Sequence, residues 1–123
     1  MITGVGIDII HIQRMERWYE QHRLLERFFH PLELAAILSC GGAVQTLASR
    51  FAAKEAFGKA LGTGLAGMAL KDIMVIKHPN GRPELQVFNA ALKALEQNGA
   101  TRIHLSLAHE KDNAVAVVVL EVA

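Results

Sequence analysis

Hydrophobic positions along this chain follow two rhythms, and the alternation between them divides it into elements. Residues 2–10 are β-branched and glycine residues with a single charge, Asp8, and read as a buried strand. Over 12–27, Ile12, Met15 and Tyr19 recur at helical spacing and predict a helix. Pro31 suits the first turn of a second helix, 31–39, which Gly41-Gly42 stops. A third, alanine-rich helix spans 44–61, with Gly62 as its stop and Gly62, Gly64 and Gly67 in the loop beyond. Asp72–Lys77 and Glu84–Val87 read as strands around the turn Pro79-Asn80-Gly81-Arg82-Pro83, and Ala90–Gln97 as a short helix closed by Asn98-Gly99. The valine-rich segments 102–108 and 114–121 predict a closing antiparallel hairpin. The order is mixed, without regular βαβ alternation, so the expected class is α+β, one small domain over 1–123.

The third helix carries the chemistry that stands out. Its segment RFAAKEAFGKALGTG (50–64) places Arg50, Lys54, Glu55 and Lys59 on a broad apolar surface. Such a helix is mostly buried, and buried charges are costly unless paired or bound to something. Glu55 and Lys59 share a face with Ala48, Ala52 and Ala56, and are either a solvated ion pair or part of a site. Arg50 and Lys54 lie on a second edge near Phe57 and Leu61. Two cations and a Glu–Lys pair suit a polyphosphate with a divalent metal of the Mg²⁺ type, for which Asp8 and Glu55 are the candidate protein ligands. Asp8 has a second reading as the cap of the next helix. The glycine loop is not a Walker A motif, because its lysine precedes the glycines and the loop follows a helix.

Composition narrows the classes. Of 123 residues, 51% are hydrophobic and the formal charge is +1, so a nucleic-acid-binding domain is disfavoured. Cys40 is the lone cysteine, which precludes an intrachain disulfide and fits a reducing cytoplasm. No signal peptide or membrane span is legible. The six histidines show no zinc spacing. His109 ends a strand after Ser106-Leu107-Ala108 and is either a solvated loop-edge residue or a ligand contact. Arg14, Arg17, Trp18 and Gln21 fall on one face of the first helix, a composition suited to docking a partner unless Trp18 folds back onto the core.

Four segments together, GVGIDIIHIQR (4–14), RFAAKEAFGKALGTG (50–64), NGRPEL (80–85) and SLAHEKDNAVAVVV (106–119), resemble the holo-[acyl-carrier-protein] synthase family. This is the short-chain type of 4'-phosphopantetheinyl transferase, and the likeness runs from Ile2 to Glu121. The resemblance implies the transferase fold, with an antiparallel sheet packed against a long central helix. It also implies transfer of 4'-phosphopantetheine from coenzyme A to a serine of acyl carrier protein, in support of fatty acid biosynthesis. Mg²⁺ would be the cofactor, and the assembly a homotrimer with sites between subunits. By motif position it makes Asp8 and Glu55 the metal ligands and places Lys59 near the transferring phosphate. Arg50 and His109 fall to the nucleotide phosphates, with Lys54, Gly62 and Gly64 completing the coenzyme A contacts. Glu55 becomes the candidate base, acting directly or through a water. Arg14, Arg17, Trp18 and Gln21 would meet the acidic carrier. Ala108 departs from the family's frequent Ser-x-Ser-His, so the contacts at 106–109 differ here. A non-catalytic module binding coenzyme A or a nucleotide is the alternative; it would not need Asp8 and Glu55 to converge.

Overall fold

The computed structural model describes residues 1–39, 41 and 43–123; Cys40 and Gly42, part of the expected helix stop, lie outside the described residues. Strand β1 (Ile2–His11) pairs antiparallel with β5 (Asn113–Glu121), whose other edge takes β4 (Arg102–His109), giving the order β1-β5-β4. A separate hairpin pairs β2 (Ile73–Lys77) with β3 (Pro83–Val87). Across the inner face of the three-stranded sheet lies α4 (Ala43–Leu61), preceded by the short helices α1 (Glu16–Tyr19), α2 (His22–Phe28) and α3 (Pro31–Ser39). The last helix, α5 (Asn89–Asn98), ends at Gly99 in the left-handed conformation (φ 87°) that a helix stop favours. The architecture is the α+β arrangement expected from the order of elements, with the terminal hairpin in place.

The spine of the core is the contact between β1 and α4. A Cβ added at Gly4 would stand 2.0 Å from the Ala60 carbonyl oxygen, and one at Gly6 2.0 Å from that of Ala56. Two strand residues rise about 6.8 Å and four helix residues about 6 Å, so the two elements stay in step along this line. Glycine opposite alanine is therefore what lets a helix backbone rest on a strand backbone. Beneath it, Ala114, Ala116, Val118 and Leu120 of β5 are buried, while Val115, Val117 and Val119 point to the other face.

Two expectations change. The helix over 12–27 is broken: residues Ile12–Met15 form a 3-10 turn, α1 follows, and the chain turns at Gln21 (φ −106°, ψ 81°) before α2. The break carries no proline or glycine signal. It lets Ile12 and Met15 on one side and Leu25 and Phe29 on the other reach the same core. Strand β1 is buried on one face only; Val5, Ile7 and Ile9 are about 60% exposed (59%, 59% and 62%), because that face points away from α4.

Gly6→Ala is expected to lower stability by about 2 kcal/mol, the usual scale for forcing a methyl into a packed contact. The urea midpoint at unchanged m-value reads this, and a midpoint equal to the parent's would contradict the close-packing account.

Candidate active site

Continuing the line of Gly4 and Gly6, the next inward residue of β1 is Asp8, and it arrives beside the face of α4 that carries Glu55 and Lys59. Lys59 Nζ donates to Asp8 Oδ1 at 2.9 Å and to the Ile7 carbonyl at 3.2 Å. The pair is asymmetric: the Lys59 side chain is 55% exposed and that of Asp8 13%. The second oxygen, Asp8 Oδ2, is buried without a hydrogen-bond partner among the described residues. Glu55 is half-buried, and its pKa is raised above the ordinary carboxylate value, first by desolvation and then by the negative charge of Asp8, against the pull of Lys59. Asp8 is therefore no helix cap: the turn at Ile12–Met15 has no side-chain cap, and the Asp8 carboxylate points at α4 instead.

Half-way back along α4, Arg50 opens onto a cavity of about 410 Å³. His109 at the end of β4 lines the same cavity, as do Ser49 and Thr46 of α4 and Val75 and Lys77 of β2. Arg50 and His109, remote in sequence, are thus brought to the walls of one cavity. Lys77 and Thr46 were not legible as site residues, since an exposed lysine at a strand end and a helical threonine carry no signal of their own. Asp8, Glu55 and Lys59 do not line this cavity. Arg50 and Lys59 stand about 13 Å apart along the helix axis and on opposite sides of it.

Lys54 requires a correction. Its side chain is fully buried, and its ammonium has three acceptors: Glu33 Oε1 at 2.7 Å, the Leu70 carbonyl at 3.0 Å and the Ile73 carbonyl. An ammonium has three N–H donors, so none remains for coenzyme A. Burial lowers its pKa and Glu33 opposes that shift. Lys54 belongs to the core and not to the ligand face suggested by its spacing. Its partner Glu33 drew no notice in the sequence, because the pairing joins α3 to α4 across 21 residues.

Gly62 and Gly64 end α4 in left-handed conformations (φ 81° and 69°), and the Gly64 N–H closes back onto the Gly58 carbonyl at 3.0 Å. The tight return also needs Gly58, where a Cβ would meet the Gly64 backbone at 2.8 Å. No atom stands within 4 Å of a Cβ built at Gly62 or Gly64, so this turn leaves open space on its outer side. Arg14, Arg17, Trp18 and Gln21 line one shallow groove with Gln13. Trp18 does fold back: it is half-buried, 4.9 Å from the Phe51 ring and 5.5 Å from that of Phe28, while the two arginines stay exposed.

Comparison with known proteins identifies the family. Residues 4–118 match the 4'-phosphopantetheinyl transferase superfamily, and the chain belongs to that family. It is 57% identical over 122 residues to the holo-[acyl-carrier-protein] synthase of Treponema denticola, covering 98% of this chain and 99% of that one. The crystal structure of the same enzyme from Neisseria meningitidis superposes with a TM-score of 0.90 at 39% identity, covering 98% of this chain and 99% of that one. The Bacillus anthracis enzyme, solved in complex with CoA (3',5'-ADP), gives 0.83 at 36% identity and covers 100% and 99%.

The raised pKa of Glu55 has a consequence for stability in metal-free buffer. The folded state holds the Glu55 proton above the ordinary value of 4.5, so the contribution of this group is present below that pH and lost as pH rises through the folded pKa. At pH 7 the ionised carboxylate therefore costs stability, and Glu55→Gln is expected to raise the thermal midpoint there while changing it little at pH 4. Thermal unfolding at both pH values checks this; a lowered midpoint at pH 7 would contradict it.

Proposed function

We propose that this chain transfers the 4'-phosphopantetheine group of coenzyme A to a serine of apo acyl carrier protein, leaving adenosine 3',5'-bisphosphate. The observation that carries the reading is the meeting of Asp8, Glu55 and Lys59 at the foot of the β1–α4 contact. A module that only held coenzyme A would need the cations but not two converging carboxylates. A cytoplasmic location and service to fatty acid synthesis go with this function; among the described residues no helix is long and apolar enough to cross a membrane.

The donor set suits a hard divalent cation such as Mg²⁺. Asp8 Oδ2 is buried and unpartnered among the described residues, and Glu55 feels the charge of Asp8, so two carboxylates stand close together with one oxygen that Lys59 does not satisfy. Among the described residues no third His, Cys, Asp or Glu joins them, which leaves the other ligands to water and substrate phosphates. When bound, Mg²⁺ supplies charge that polarises the diphosphate oxygens. The residues of the chain do the rest. Lys59, exposed beside Asp8, faces the phosphorus under attack and neutralises charge that develops there. Glu55, directly or through a water, takes the serine proton as the hydroxyl attacks the β-phosphorus and the bridging oxygen departs with the nucleotide. Arg50 and His109 hold the nucleotide phosphates in the cavity, and the open outer side of the Gly62–Gly64 turn gives the pantetheine arm a path past Lys59. The exposed Arg14 and Arg17 groove receives the acidic carrier, with the edge of Trp18 and Gln21 beside them.

The two parts of the site lie on opposite sides of α4, and one copy offers little to enclose coenzyme A between them. The outer face of the sheet presents Val5, Ile7 and Ile9 beside Val115, Val117 and Val119, an apolar surface that a monomer would leave in water. We therefore place this chain in a homotrimer packed through that face, so that the Asp8 end of one copy meets the Arg50 cavity of the next. The contact includes β1 as well as the segments 102–108 and 114–121 named from the sequence.

Mass spectrometry of apo carrier protein incubated with coenzyme A, Mg²⁺ and this protein should show the addition of one phosphopantetheine group. Asp8→Asn should slow that conversion by about a hundredfold or more, as loss of transition-state charge stabilisation does, and EDTA should abolish it. Conversion undiminished in EDTA would remove the metal from the account. An unmodified carrier under Mg²⁺ would leave a binding module.

A further inference from the structure

The buried Glu33 of α3 has no part in the chemistry above, yet its carboxylate is among the most heavily bonded groups in the molecule. Its side chain is wholly buried. Oε1 accepts the His30 N–H at 3.1 Å and Lys54 Nζ at 2.7 Å. Oε2 accepts the Val75 N–H at 3.1 Å and lies 3.7 Å from Arg50 Nη1. Arg50 Nη1 in turn donates to the Val75 carbonyl, and Lys54 to that of Ile73. The β2 edge that faces away from β3 thus finds its partners in side chains instead of a further strand. Glu33 takes the N–H of Val75, and Arg50 takes its carbonyl.

Val75 and Arg50 both line the cavity assigned to the nucleotide, and Lys77 follows two residues along β2. A single carboxylate, outside the cavity, therefore fixes a cationic side chain and the wall beside it. We infer that Glu33 is a positioning residue for coenzyme A: it holds Arg50 and the Val75 edge of β2 at the spacing the nucleotide phosphates need. This rests on the reading of the cavity as the nucleotide site. A guanidinium can swing through several ångströms on its stem, and an ordering partner behind it lowers the entropy lost when an anion binds. Among the described residues, the hydrogen bonds of Glu33 and those of the Asp8–Glu55–Lys59 cluster share no partner, so its effect falls on binding and not on the transfer step.

The test separates these effects. Glu33→Gln removes the charge but strands the Lys54 ammonium in the core. Glu33→Gln with Lys54→Met removes both charges and retains the packing volume, so it serves as the folded form of the experiment; circular dichroism and thermal unfolding establish that. With saturating carrier, the double variant should raise KM for coenzyme A about tenfold, the scale of a lost charged hydrogen bond. Its kcat should stay within about twofold of the parent. Calorimetric Kd for coenzyme A should move with KM. A folded double variant with the parental KM and Kd, or one whose kcat falls while KM holds, would overturn the assignment. Arg50→Ala run alongside tells the two levels apart. If it weakens coenzyme A binding while the double variant does not, Glu33 alone is wrongly assigned. If it too leaves Kd unchanged, the cavity is not the nucleotide site and both readings fall.

Discussion

The core and the cluster of Asp8, Glu55 and Lys59 are placed by one contact, the backbone of α4 lying on the backbone of β1. Gly4 and Gly6 provide the room, Ala56 and Ala60 meet them, and the near-match between two strand residues and one turn of helix keeps the contact going. Asp8 is the third residue on that inward line. The absence of side chains at the first two positions brings the third within 2.9 Å of Lys59 and within electrostatic reach of Glu55. The same approach commits α4 to the interior, which is why its remaining charges must find partners or ligands.

Those charges meet that demand in two ways. Lys54 is satisfied entirely within the protein, by Glu33 and two carbonyls, and it tethers α3 and the start of β2 to α4. On another side of the same helix the pairing is incomplete: Asp8 keeps a buried oxygen without a partner among the described residues, and desolvation and the charge of Asp8 raise the Glu55 pKa. A fold selected for stability alone would have paired these carboxylates more fully or replaced them. Local costs of this kind cluster at functional sites, and here the cost stands next to the one exposed lysine of the α4 cluster.

Much of this was legible in the sequence because it is local. The bounds of α4, its glycine stop, the terminal hairpin and the i, i+4 placement of Glu55 and Lys59 follow from periodicity and turn chemistry. Asp8 was legible as an isolated charge in an apolar strand, though only the strand–helix contact decides between ligand and cap. What escaped was non-local. Arg50 and Lys54 look alike in sequence, but Lys54 sits inside and Arg50 at a cavity mouth, a difference set by Glu33 on another helix. The break at Gln21 arises from two apolar pairs reaching one core, not from a breaker residue. In β1 alternation points the wrong way: the apolar Val5, Ile7 and Ile9 lie on the exposed face, and Gly4, Gly6 and Asp8 on the face packed against α4.

The central claim is that the Asp8–Glu55–Lys59 end and the Arg50–His109 cavity act together across two copies of the chain. Mixing separately inactive Asp8→Ala and Arg50→Ala proteins after reversible dissociation, and assaying transfer to carrier protein, tests it directly. A site shared between neighbours restores roughly a quarter of parental activity in a random equal mixture, since each site then draws one intact half from each kind of copy with even chance. A site contained within one copy gains nothing from mixing, and a mixture as inactive as its components would contradict the account.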